Sequence, residues 1–161
     1  MTETITLWIM GALSTQSWAL VGLAAAYALV GLAWLVRHAR DLNLLAAGDE
    51  GALQLGVEVD GIRRAVFVAA SLLVGAAVSV SGMIGFVGLV TPHLLRLVLG
   101  PDQRLLLPAS FLGGAVLLVW ADTLARTVLG PVELPVGVVT ALLGGPFFLL
   151  LLRRSLARSS A

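Results

Sequence analysis

Four stretches of this chain carry no charge at all: residues 18–36, 65–95, 105–121 and 134–152. The first is 19 residues long, about 28 Å as a helix, which matches a bilayer core of roughly 30 Å. The second runs for 31 residues, about 46 Å if straight, too long for one pass without strong tilt. It divides naturally into a tight hairpin, with limbs near residues 65–80 and 85–95. The pattern therefore predicts an all-α polytopic bundle of about five crossings. Between the first two stretches, residues 41–60 form the only long polar connection. It reads as two short helices broken near Gly48, with Leu42, Leu44 and Leu45 before the break and Ala52 and Leu55 after it. Gly56 is the expected stop. Asp49 and Glu50 fall in the first turn of the second helix, where the positive dipole end favours carboxylates.

Composition supports a membrane chain. Charged residues make up 12% and hydrophobic ones 59%, against roughly 25% and 45–50% in soluble domains. All ten cations are arginines, and their placement orients the chain, because short cytoplasmic loops are enriched in Lys and Arg. With the hairpin crossing twice, nine arginines share one side and Arg126 lies alone on the other. With a single crossing the split would be five and five. The two-crossing path is preferred. It places the start of the chain outside, residues 37–64 and 96–104 and the tail in the cytoplasm, and residues 126–133 outside. Met1-Thr2-Glu3 carries an acid where a signal peptide carries Lys or Arg, so no cleavable signal is expected.

Gly82, Gly85 and Gly88 recur every three residues. On a helix such a strip lets a neighbouring backbone approach closely, the commoner use in membranes. The same glycines could instead unwind the chain at the tip of the hairpin, which requires protein cover for the freed backbone groups.

The chemistry available is sparse. Cysteine is absent, which excludes disulfides and thiolate metal sites. Lysine is also absent, so the phosphate-binding G-x-x-x-x-G-K-[ST] loop cannot be present; any ATP hydrolysis belongs to another chain. His93 lies in an apolar stretch, where ionisable groups are functional suspects. His38 is the only other histidine, and no carboxylate shares the stretch. A packing or helix-bending role for Pro92-His93 is preferred, with no metal and no cofactor expected. Ser79 and Ser81 lack a nearby base, and no G-x-S-x-G elbow occurs, so no catalytic residue is assigned. Nothing suggests nucleic acid as a partner. Arg126 falls four residues after Asp122, as in a helix-end ion pair. Glu133, before Pro135, reads as a helix-start acid.

Several strings resemble the FecCD-type permeases of ABC importers for ferric siderophores, haem and cobalamin. They are Trp8-Ile-Met-Gly-Ala-Leu-Ser14, residues 43–57 with Gly48-Asp-Glu-Gly-Ala52 and Leu55-Gly-Val57, and Gly82-Met-Ile-Gly-Phe-Val-Gly-Leu-Val-Thr-Pro-His-Leu-Leu-Arg96. Leu107-Pro108, Ala121-Asp-Thr-Leu-Ala-Arg126, Pro131-Val-Glu-Leu-Pro-Val-Gly-Val-Val-Thr-Ala141 and Gly144-Gly-Pro-Phe-Phe148 follow in the family's order. Asp49 stands where the family usually has Glu, Thr91 where Val is common and Gly145 where Ala is common. Such permeases are about twice this length, with ten crossings. The chain then corresponds to the second half, with residues 1–161 as one transmembrane permease domain. Either it is a fragment or a separate polypeptide supplies the rest.

The resemblance implies residue roles. Gly48, Asp49, Glu50, Ala52, Leu55 and Gly56 would contact the ATPase subunit in the cytoplasm. Arg126 would dock an extracytoplasmic substrate-binding protein, with Asp122 orienting it. Gly82, Gly85, Gly88, Pro92, Gly144 and Pro146 would serve helix packing or hinge bending. The partners implied are that ATPase, the binding protein, a second permease copy, an N-terminal permease half and membrane lipid. The location implied is the bacterial cytoplasmic (inner) membrane, multi-pass. The rival readings are a truncated remnant without function and an ion-coupled secondary transporter using Asp122 or His93.

Overall fold

The computed structural model describes residues 10, 11, 13, 17–127 and 134–159, with side chains as far as Arg153 in the last stretch. Among these residues there are seven helices and no strand. They are α1 (Trp18–Arg37), α2 (Ala39–Ala47), α3 (Asp49–Gln54), α4 (Val59–Ser81), α5 (Val87–Leu99), α6 (Gln103–Thr127) and α7 (Val136–Ser159). The stretches Trp18–Arg37, Val59–Ser81, Gln103–Thr127 and Val136–Arg153 are long and apolar enough to cross a membrane. The return limb of the hairpin, α5, has 13 residues, about 20 Å of helix against a hydrocarbon core of about 30 Å. The five-pass path is thus four full-length passes and one short helix.

Helix α6 is the hub, packing on α1, α2, α5 and α7, while α4 lies chiefly against α1. Because successive long helices alternate in direction, Arg37, Arg40, Arg63, Arg64, Arg96 and Arg104 gather at one end and Arg126 lies at the other. Little of the chain is buried, and α1 buries no residue. Large apolar side chains such as Leu23, Val30, Phe67 and Leu72 face outward, as lipid or a neighbouring helix requires.

At the tip of the hairpin the glycine strip unwinds. Helix α4 stops at Ser81, Gly82 takes φ 71° and α5 starts after Phe86 at φ 66°. Among the described residues nothing lies within 4 Å of where a Cβ would stand on Gly85 or Gly88. Gly82 and Gly85 lie in the unwound stretch, whereas Gly88 falls in the first turn of α5. A Cβ on Gly11 would stand 2.7 Å from the Met83 carbonyl oxygen. One on Gly137 would run into the Met10 carbonyl and stand 3.2 Å from that of Met83. Three backbones therefore meet at this end, and side-chain-free positions at 11 and 137 are what let them.

The remaining hinge and packing candidates divide. Gly144 admits Phe86, whose side chain occupies the place of a Cβ there; its expected packing role is to receive the tip. Pro92, Pro108 and Pro146 lie inside α5, α6 and α7, each removing one N–H from its helix ladder. His93 meets the Phe147 ring edge-on with centroids 5.7 Å apart, a packing contact between α5 and α7.

The other end is closed by hydrogen bonds. The first four N–H groups of a helix have no intrahelical acceptor, and all four of α6 are answered. Gln103 N–H donates to Asn43 Oδ1 at 2.8 Å, and Arg104 N–H to Asp102 Oδ1 at 3.0 Å. Leu105 and Leu106 donate to the Asp102 carbonyl at 3.2 and 2.9 Å. Asn43 Nδ2 also donates to Asp102 Oδ1 at 2.7 Å, so α2 and the α6 cap form one cluster. The Arg104 N–H, and then the Asn43 amide, hold the Asp102 carboxyl below the usual carboxylate range.

Two outcomes test this account. Gly137→Ala should destabilise the detergent-solubilised chain by about 1–3 kcal/mol, because backbone rather than a flexible side chain blocks the new methyl. Gly22→Ala, with nothing within 4 Å of its Cβ position, should be neutral or slightly stabilising; thermal unfolding followed by circular dichroism compares them. A carboxyl whose pKa falls on folding contributes stability above its unfolded pKa and loses it as pH drops through the folded value. Hydrogen exchange at the Gln103 amide, corrected for its intrinsic rate, should stay protected through mildly acidic pH and speed up only below the usual carboxylate range. Asp102→Asn should abolish that step.

Candidate functional site

The polar connection is a folded unit with its own core. Ala52, Val57 and Val59 are buried together, with Leu44, Leu45 and Ile62 packed around them. Helix α2 ends at Gly48, whose φ of 130° lets α3 begin at once on a new axis. Helix α3 ends in a Schellman motif: Gly56 N–H donates to the Leu53 carbonyl at 3.0 Å, and Val57 N–H to that of Ala52 at 3.0 Å. Gly56 supplies the left-handed φ of 80° that the motif needs. The accompanying apolar contact is the one between Val57 and Ala52.

This geometry sorts the expected site residues. Gly48, Asp49, Glu50, Leu55 and Gly56 are exposed. Ala52 is not: at 1% exposure it belongs to the loop's interior, where a docking partner cannot touch it. Asp49 has a second task, since both its oxygens accept from Arg63 Nη2 at 3.0 Å, tying α3 to α4. The two side chains are 54% and 59% exposed, so the pair is worth only about 0–1 kcal/mol. Leu53, missed in the sequence reading, stands 60% exposed beside Leu55 at 67%. Its signal is the failure of helical spacing: residues 53 and 55 cannot both face a core that Ala52 already occupies.

Leu53 and Leu55 each border a shallow hollow with charged walls. One, of about 340 Å³, is lined by Arg40, Asp41, Leu55 and Glu58 among others. The second, of about 350 Å³, is lined by Asp49, Leu53, Asp60 and Arg63 among others. Apolar projections flanked by charged recesses suit a protein surface of matching relief. Among the described residues no group of three or more His, Cys, Asp or Glu could hold a metal ion.

At the far end, Arg126 Nε donates to Asp122 Oδ2 at 2.8 Å across one helical turn. Below the pair, Ala121 and Ala125 are buried against Val136, and Leu134 N–H reaches the Ala125 carbonyl at 3.3 Å. The end of α6 is thus fixed to the start of α7. Glu133 and most of residues 8–14 lie outside the described residues.

Comparison with known proteins places this geometry in context. The hemin transport system permease protein of Yersinia pestis is 50% identical over 148 residues, 92% of this chain and 44% of its own length. The cobalamin import system permease protein of Halobacterium salinarum is 51% identical, covering 91% of this chain and 39% of its own. The Fe(3+)-citrate import system permease protein of Bacillus subtilis is 41% identical, covering 94% and 46%. A solved structure described as a metal-chelate type ABC transporter in an inward-facing conformation superimposes with a TM-score of 0.85 at 34% identity. It covers 94% of this chain and 49% of that one. The chain spans about half the length of the curated relatives it matches. The FecCD transport family matches residues 1–154, and with four helices of membrane-spanning length in the same fold this chain is a multi-pass membrane protein belonging to that family.

Proposed function

We propose that this chain forms part of the pathway wall of an ABC importer carrying a metal chelate of the iron-siderophore, haem or cobalamin class across the bacterial inner membrane. It does no covalent chemistry. A separate ATPase docks on the α2–α3 loop in the cytoplasm, and an extracytoplasmic binding protein delivers cargo at the Asp122–Arg126 end. Residues 1–161 act as one permease domain equivalent to the second half of the family's fold. An N-terminal permease half and a second permease copy complete the pathway. The observation that carries this reading is the loop itself: a six-residue helix with its own core turns Leu53 and Leu55 outward. A connector that merely lay on lipid would have no need of a rigid Schellman turn.

Tagged full-length protein should bring an ATPase and the remainder of the permease out of native membranes, as identified by mass spectrometry. Recovery of an inserted chain alone would favour a remnant without function. In reconstituted vesicles Leu53→Ala with Leu55→Ala should lower cargo moved per ATP hydrolysed about tenfold or more, the loss typical of interface anchors, while membrane insertion is kept. Gly56→Pro should act in the same direction, since proline reaches neither φ 80° nor the N–H bond to Leu53. Undiminished transport in these variants removes the docking claim. Arg126→Glu should weaken capture of the binding protein roughly tenfold, with much of the change in association rate and its salt dependence. Unaltered affinity would leave Arg126 as a helix-end ion pair.

A further inference from the structure

Two polar links join the α2–α3 loop to the long helices among the described residues, and they differ in kind. The Asp49–Arg63 pair reaches α4 and is more than half exposed on both sides, so salt and side-chain freedom weaken it. The Asn43 link reaches α6 and engages the helix backbone directly. Its amide is oriented without ambiguity, because the Gln103 N–H can only donate and so must face Oδ1. That leaves Nδ2 for the Asp102 carboxylate at 2.7 Å, a bond assisted by charge. Beyond this cap, α6 runs 25 residues, about 37 Å, to the Asp122–Arg126 pair. Pro108 near its start is where it can bend. Past that point the helix is continuous and keyed to α7 through Ala121, Ala125 and Val136.

We propose that Asn43 is a positioning residue that makes the α2–α3 loop and α6 move as one piece, so that displacement of the loop arrives at the Asp122–Arg126 end. This rests on the transport reading above. The first turn of α4 already belongs to the loop's core through Val59 and Ile62, and the Asn43 link adds α6 to that unit. Neither Asn43 nor Asp102 needs to touch ATPase, binding protein or cargo.

The test uses the whole transporter in proteoliposomes: this chain with the rest of its permease, its ATPase and its binding protein. Hemin, cobalamin and Fe(3+)-citrate are supplied in turn as cargo. Because the chain has no cysteine, Gln54→Cys in the loop and Thr123→Cys near the far end of α6 take spin labels cleanly. Asn43→Ala should lower cargo imported per ATP roughly tenfold, the scale of one charge-assisted hydrogen bond. The nucleotide-driven distance change should persist at residue 54 and vanish at residue 123, a split that loss of stability alone would not produce. Asn43→Asp sets two carboxylates face to face and should do at least as much harm. Combining it with Asp102→Asn exchanges the partners, restores donor to acceptor and should recover most of the yield. An unchanged yield per ATP in Asn43→Ala, or no recovery in the exchanged pair, overturns the linkage alone. Wild-type vesicles in which ATP drives none of the three cargoes overturn the transport reading beneath it.

Discussion

A peptide group that leaves a helix within hydrocarbon must find another partner or cost several kcal/mol, and the shape of this chain follows from where that demand is met. Inside α1 and the long part of α4 the ladder answers it, so those helices can present nearly bare apolar surfaces. The demand becomes acute at the interruptions. At the hairpin tip the chain around Met10, Gly11 and Gly137 lies against the unwound stretch, close enough that side chains would not fit. At the start of α6 the side chains of Asn43 and Asp102 answer two of the first four N–H groups, and the Asp102 carbonyl answers the other two.

The sequence showed the elements whose causes are local. Uncharged runs of bilayer length, arginine clusters and the glycine punctuation at 48 and 56 act within a few residues, and helices formed where they said. It could not show outcomes decided by distant segments. How the chain runs at the hairpin tip depends on its meeting Gly11 and Gly137, segments distant in the sequence. The Asn43–Asp102 bond spans 59 residues and leaves no periodicity to read. Ala52 matched a motif and was counted with its neighbours, but a motif does not say which of its residues face inward. Burial of Ala52 with Val57 depends on the Schellman turn, a three-dimensional fact. Phe86 at a positive φ is likewise imposed by its place between the tip and Gly144.

The bundle is unevenly stiff. Helix α6 touches four other helices, whereas α4 leans chiefly on α1, and the link from the loop to α4 is an exposed ion pair. Relative motion is cheapest where contacts are few and solvated, so α4 beyond its first turn slips most readily, while α6, α7 and the crowded hairpin tip hold together as one unit. The outer surfaces of α1 and α4 stay apolar and exposed, with Leu23, Val30, Phe67 and Leu72 among the side chains on them.

The loop keeps its two faces chemically separate. Ala52, Val57 and Val59 hold it together from within, while Glu50, Leu53 and Leu55 contribute nothing to that core. Replacements on the outer face therefore leave the scaffold intact, and natural variation can accumulate there without a toll in folding. If α3 is the docking surface proposed above, two or three exposed positions decide what it recognises, and they can change without disturbing the fold that presents them.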